Sequence, residues 1–196
     1  MSKEILLDLD GVVVKGRHKY FSEKLAEEHN IPIDEILPFF KGEYKQAAVG
    51  EVDIKEVLPP YLEKWNWQGS VDEFLEYWFE GEREVDQRVM GVVRGLRQDG
   101  TRVHLASDNE INRARYLMDE VGLKDEFDRA FFSSELGHTK SNPVFFQKVL
   151  RELQAQPADV IYWDDDPKNI EIANQIGIQG NVYDDFDEFK EKVTDG

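Results

Sequence analysis

Five short runs of apolar and β-branched residues recur along the chain, and the segments between them restrict the fold. Residues 4–14 read EILLDLDGVVV, 101–107 TRVHLAS, 129–134 RAFFSS, 160–165 VIYWDD and 178–184 IQGNVYD. Runs of this length and apolarity predict buried strands, and most stop at polar residues. After the second run comes the helical pattern NEINRARYLMDEVGL, after the third NPVFFQKVLRELQ, after the fourth PKNIEIANQIG, and DFDEFKEKV closes the chain. Pro143 and Pro167 sit where first-turn prolines belong, and Gly122 and Gly177 where helices stop. Strand and helix alternating at this spacing predict an α/β fold, a doubly wound parallel sheet with right-handed crossovers. In such sheets function gathers at the carboxyl ends of the strands.

Residues 15–84 interrupt the alternation. They hold no clear strand and read as the helices YFSEKLAEEHN, PIDEILPFFKG, DIKEVLPPYLEKW and SVDEFLEYWFEG. The expected organisation is an α/β core of residues 1–14 and 85–196, with a small all-helical cap, residues 15–84, inserted after the first strand. A chain of 196 residues is long enough for a core domain carrying such an accessory.

Composition narrows the chemistry. With no cysteine, disulfides and thiolate metal sites are excluded, so any metal must take oxygen or imidazole ligands. The four histidines, His18, His29, His104 and His138, show no metal-ligand spacing, which argues against zinc, and His104 reads as a core histidine. A net charge of -17 repels polyanions, so neither nucleic acid nor an anionic membrane is expected as a partner. No run approaches a membrane span, and the start MSKE leads into a strand without a signal-peptide core, so a cytoplasmic location is expected.

The first strand carries Asp8 and Asp10 two positions apart, where a period of two would put both on one face. Like charges in a partly dry site are relieved by a raised pKa or by a cation. The bland alternative is a polar loop turning at Gly11. A second acidic group, Asp164, Asp165 and Asp166, ends the fourth strand, and two acidic strand ends on one parallel sheet can converge on Mg²⁺. Asp166 before Pro167 fits a helix N-cap, which leaves Asp164 and Asp165 unexplained by capping. Ser107 ends the second strand and offers a hydroxyl to phosphate oxygens, although Ser107 or Asp108 could equally cap the next helix. Lys140, in the loop after the third strand, could offset carboxylate and phosphoryl charge.

These pieces, in this order, resemble the haloacid dehalogenase (HAD) superfamily: Asp-x-Asp-Gly-Val at the first strand, Ser at the second, Lys before a helix and an Asp-Asp pair at the fourth. The stretch DDDPKNIEIANQIGI is similar to the Asp-Asp-x-Pro-x-Asn segment of members with a helical cap. The resemblance implies that Asp8 is the nucleophile and a Mg²⁺ ligand. It gives Asp10 the role of general acid and base, with its backbone carbonyl on the metal. Ser107 would bind phosphoryl oxygens, Lys140 would balance charge, and Asp165 with Asp164 would complete the metal site. Asp8, Asp10, Ser107 and Lys140 are thus the expected catalytic residues, with Asp108 beside Ser107 and Lys140 in substrate binding. Members that dehalogenate without Mg²⁺ lack an acid at the place of Asp10, so phosphoryl chemistry is implied. Two positions depart from the family pattern: Asp108 stands where asparagine is usual, and Ser141 where proline is usual, although Pro143 and Phe146 keep the spacing.

The expected activity is a Mg²⁺-dependent phosphatase acting on a small phosphorylated metabolite through an aspartyl-phosphate. The alternatives are a phosphomutase on a sugar phosphate and a non-catalytic metal- or phosphate-binding member of the fold. Within the cap, Lys15, Arg17, Lys41, Tyr44 and Lys45 are candidates for selecting substrate, whereas Trp65, Trp67, Tyr77, Trp78 and Phe79 read as packing.

Overall fold

The computed structural model describes residues 3–15 and 19–194; Arg17 and His18 lie outside the described residues. Its strands are β1 (Glu4–Asp8), β2 (Arg102–Ser107), β3 (Arg129–Phe132), β4 (Val160–Asp164) and β5 (Gln179–Val182). They form one parallel sheet in the order β3-β2-β1-β4-β5. Before β2 run helices α1 (Phe21–His29), α2 (Ile33–Lys41), α3 (Glu43–Ala48), α4 (Ile54–Val57), α5 (Pro59–Lys64), α6 (Val71–Glu80) and α7 (Gln87–Gln98). After it come α8 (Ile111–Arg115), α9 (Ser133–Leu136), α10 (Pro143–Leu153), α11 (Pro167–Gln175) and α12 (Phe186–Thr194). The expected α/β doubly wound class is the one observed.

Alternation along each strand feeds a core on each face of the sheet. Ile5, Leu7, Val103, Leu105 and Trp163 join residues of α7 and α12 in one apolar cluster. Leu6, Ala106, Val160 and Tyr162 join residues of α10 and α11 in the other. A third cluster is drawn from residues 21–79, including Phe21, Ile36, Phe39, Leu58, Phe74 and Trp78. The tryptophans of this segment are part of this packing: Trp65, Trp78 and Phe79 are buried, and Trp67 and Tyr77 close around the His29 ring.

Several boundaries differ from the periodicity. The first strand stops at Asp8 rather than carrying Asp10 as well, because the chain turns directly after it: Gly11 adopts φ +101°, and its N–H donates to the Val14 carbonyl at 2.8 Å. DIKEVLPPYLEKW is two helices, since Pro59 and Pro60 start a new one and cannot continue the old. The pattern after β2 begins at Ile111 and loosens into a π turn over Tyr116–Glu120. No element is expected over QRVMGVVRGLRQ, whose Gly91 and Gly95 lower helix propensity; it is helix α7 because Val89, Met90, Val93 and Leu96 bury one face.

The helical segment leaves and re-enters the sheet region by adjacent connections. Val14 and Val85 form an antiparallel bridge, and Lys15 N–H donates to the Glu84 carbonyl at 2.8 Å. Ser133 Oγ, just beyond β3, donates to the Ala48 carbonyl at 2.5 Å, and Asn112 Nδ2, beyond β2, donates to Asp53 Oδ1 at 3.0 Å. These contacts join the helical segment to the connections that follow β2 and β3.

At the far end of the sheet, His104 is fully buried, with Nε2 2.8 Å from Glu4 Oε2 and Nδ1 without a partner among the described residues. Burial lowers its pKa, against the pull of Glu4. The unfolded chain therefore takes the proton first, and stability present above about pH 6.5 is lost as pH falls from there. The drop in Tm between about pH 7.5 and about pH 5.5 should shrink in His104→Gln relative to the wild type; an unchanged drop would remove this residue from the acid response.

Candidate active site

The register of the sheet decides which strand ends meet. Leu7 pairs with Trp163, so the next residues, Asp8 and Asp164, stand side by side on neighbouring strands. Asp8 also aligns with Ala106, one residue before Ser107. The strand order reverses between β1 and β4, the switch position at which open α/β sheets bind ligands.

Lys140, in the loop between α9 and α10, reaches between the two acids. It is 3% exposed, and its Nζ donates to Asp8 Oδ1 and, at 2.7 Å, to Asp164 Oδ2. Its loop is fixed on both sides: Lys140 N–H donates to Asp108 Oδ1 at 2.9 Å, and Asn142 caps α10 by accepting from Val144 N–H at 3.0 Å. Burial works against the ammonium, yet the charges of Asp8, Asp164 and Asp108 outweigh it and raise its pKa. Burial also pushes the Asp8 carboxyl up, with Asp164 and Asp10 adding to it and Lys140 opposing. The arrangement concentrates negative charge that one ammonium does not neutralise.

Asp164 is fully buried and ringed by donors. Besides Lys140, Oδ2 accepts from the Tyr162 hydroxyl and from Asn169 Nδ2 at 3.1 Å, while Oδ1 accepts from Asp166 N–H at 2.7 Å. Asp166 itself caps α11, accepting from Lys168 N–H at 2.9 Å. Asp165 faces solvent at the same edge. Asp8, Asp164 and Asp165 each offer an oxygen, all within 4.8 Å of one another. Three hard carboxylate ligands in surplus over the nearby cation fit Mg²⁺, so the residues present suit the ion implied by the sequence. Gly11 makes room for them: a Cβ there would lie 2.2 Å from Asp165 Oδ2.

Asp10 takes a different direction. Because β1 has already ended, its carboxylate points away from that trio, with Oδ1 accepting from Arg113 Nη2 and Oδ2 from Asn109 Nδ2 at 2.9 Å. The metal role implied for Asp10 runs through its backbone carbonyl and does not draw on this carboxylate. Asn109 Nδ2 also donates to Ser107 Oγ at 2.7 Å, so the Ser107 hydroxyl keeps its own hydrogen for another acceptor. Neither Ser107 nor Asp108 caps α8; Glu110 does, accepting from Asn112 N–H at 2.9 Å and Arg113 N–H at 2.6 Å.

Three residues around these groups, Tyr162, Asn109 and Arg113, escape the sequence reading, and Asn169 enters it only as the last position of the Asp-Asp-x-Pro-x-Asn segment, with no role. Tyr162 stands two before Asp164 and so shares its face; Asn169 occupies the first turn of the helix that Asp166 caps. Asn109 lies in the connection before α8 and Arg113 within that helix, and their partner Asp10 lies about a hundred positions away in the chain. Of the cap candidates, Lys15 pairs with Glu84 at the surface, Lys41 and Lys45 are exposed, and Tyr44 packs against Phe40 and Trp78.

The chain is 23% identical to a D-ribitol-5-phosphate phosphatase of Bacteroides thetaiotaomicron over 91% of its length and 90% of the relative's. It is 22% identical to a phosphorylated carbohydrates phosphatase of Thermotoga maritima, over 89% of this chain and 82% of that one. The magnesium complex of a HAD family enzyme from Bacteroides thetaiotaomicron superposes with a TM-score of 0.81 at 19% identity, covering 96% of this chain and 98% of the other, which shows the shared fold. The profile of the haloacid dehalogenase-like hydrolases matches residues 3–177. The chain belongs to the haloacid dehalogenase-like hydrolase family.

Proposed function

We propose that this hydrolase removes the phosphoryl group from a small phosphorylated carbohydrate in a Mg²⁺-dependent reaction, with Asp8 as nucleophile and residues 15–84 as a cap over the site. The observation that carries the reading is a buried carboxylate, Asp8, held against the buried ammonium of Lys140 and within reach of Asp164 and Asp165. The two relatives named for phosphorylated carbohydrates and for D-ribitol 5-phosphate support the substrate class.

Asp8 attacks phosphorus, forming an Asp8 O–P bond as the bond to the substrate oxygen breaks, and Asp10 gives that oxygen its proton. Asp10, now a carboxylate, takes a proton from water as the water oxygen attacks phosphorus, the Asp8 O–P bond breaks and inorganic phosphate is released. Lys140 and the Ser107 hydroxyl hold phosphoryl oxygens throughout. Asp8, Asp164 and Asp165 would hold Mg²⁺, which would supply the positive charge that lets an anionic ester approach a carboxylate. Asp108 fits this scheme as the anchor of the Lys140 loop, since its carboxylate is engaged by the Lys140 N–H.

Turnover of ribitol 5-phosphate should release inorganic phosphate, stop with chelator, and fall by about 10⁴-fold or more in Asp8→Asn. Activity surviving that substitution would overturn the nucleophile assignment, and an isomeric phosphate ester as product would make the enzyme a mutase. Asp108→Asn keeps an acceptor for the Lys140 N–H and should retain kcat within severalfold, whereas Asp108→Ala should lose it; equal losses would contradict the anchoring role.

Glycine substitutions test the metal site separately. Gly11→Ala and Gly100→Ala both force a side chain to positive φ, at a cost of about 1–2 kcal/mol in urea unfolding. Gly100 faces open space, whereas at Gly11 the Asp165 carboxylate must move. Only Gly11→Ala should weaken Mg²⁺, by about 10–100-fold in a titration followed by thermal shift; equal Mg²⁺ affinity in the two variants would contradict a metal role for Asp165.

A further inference from the structure

Arg113 is 1% exposed and stands on α8, which contributes nothing to the acidic trio. Its Nη2 donates both to Asp10 Oδ1 and, at 3.2 Å, to the Glu82 carbonyl, while Nη1 reaches Glu82 Oε2 at 3.2 Å. Glu82 follows α6 in the connection that returns from the helical segment to the sheet. Its Oε2 also accepts from Trp78 Nε1 at 3.1 Å, and Trp78 belongs to the apolar cluster of that segment. One guanidinium thus joins a carboxylate at the site to the point where the cap is attached.

Asp10 needs such a partner because it lies in a turn beyond β1, where no strand fixes its side chain. Two buried donors take up its two oxygens, Arg113 on Oδ1 and Asn109 on Oδ2 at 2.9 Å, and its side chain keeps 22% exposure. A buried arginine is a costly way to pin a connection alone, since an apolar residue of similar volume would serve. Its planar fork, however, can fix the direction of a carboxylate in a way an apolar residue cannot.

We infer that Arg113 is a positioning residue for Asp10, and that through Glu82 it makes the aim of that carboxylate depend on how residues 15–84 are seated. The inference rests on the proposed role of Asp10 as proton donor to the departing oxygen. A sugar or polyol phosphate leaves as a strongly basic alkoxide and needs that proton in place, whereas an aryl phosphate leaves as a weakly basic phenolate and needs it far less. Loss of Arg113 therefore acts on the first kind of substrate selectively.

The test is the rate of leaving-group release in the first turnover, with Mg²⁺, for ribitol 5-phosphate and p-nitrophenyl phosphate. In Arg113→Met the rate with ribitol 5-phosphate should fall by about 10²-fold with KM little changed, and the rate with the aryl ester should fall much less. Arg113→Lys should show the same selectivity to a smaller degree. Combining Arg113→Met with Asp10→Asn should do no more harm than Asp10→Asn alone. Equal losses on both esters, or a further loss in the double variant, would overturn the inference. If Arg113→Met fails to fold in a thermal melt, Arg113→Lys and Glu82→Gln decide it by the same ratio of rates. Turnover of both esters that survives Asp8→Asn and Asp10→Asn would remove the proposed roles of Asp8 and Asp10 and this inference with them; turnover that needs Asp8 and Asp10 but falls equally on both esters without Arg113 removes the inference alone.

Discussion

The structure depends on one ammonium placed between two carboxylates. Parallel pairing of β1 with β4 puts Asp8 and Asp164 side by side in a dry edge of the sheet, and Lys140 Nζ sits against both. Burying each of these ions costs several kcal/mol, and only close contact with opposite charge and further hydrogen bonds offset it. Tyr162, Asn169 and the Asp166 N–H give Asp164 those bonds, and Asp108 and Asn142 hold the loop from which Lys140 reaches in. The surplus of negative charge that remains is what suits the edge to a cation and, with it, an anionic ester.

A second cation serves the second aspartate. The chain leaves strand geometry after Asp8, in the turn that contains Gly11, so two aspartates only two positions apart point to different surroundings: Asp8 to a lysine within the sheet edge, Asp10 to an arginine near the connection from the helical segment. One acid belongs to the sheet edge and the other to its junction with the helical segment. That difference is consistent with the proposed roles, Asp8 attacking phosphorus and Asp10 moving protons.

Most of the fold was legible because strand and helix periodicities are local, and α/β alternation leaves few topologies. The convergence of Asp8, Asp164 and Lys140 was legible for the same reason, since ends of parallel strands share one edge. The direction of Asp10 was not, because the strand ends at Asp8 and the period of two no longer applies in the turn that follows. Arg113 and Asn109 look like ordinary helix residues until the chain brings Asp10 to them. Asp108 reads as an extra charge beside the phosphate, whereas its Oδ1 is engaged by the Lys140 backbone, a contact spanning 32 positions. Helix α7 was hidden by two glycines whose propensity cost is outweighed by its buried face.

The central claim is that phosphorus becomes bonded to Asp8 during turnover. Acid quenching during turnover, borohydride reduction of any acyl phosphate and peptide mass analysis test it directly. The account predicts reduction of the side chain at position 8 alone, dependent on Mg²⁺ and substrate. Reduction at another carboxylate, or at none while phosphate is being released, would contradict it.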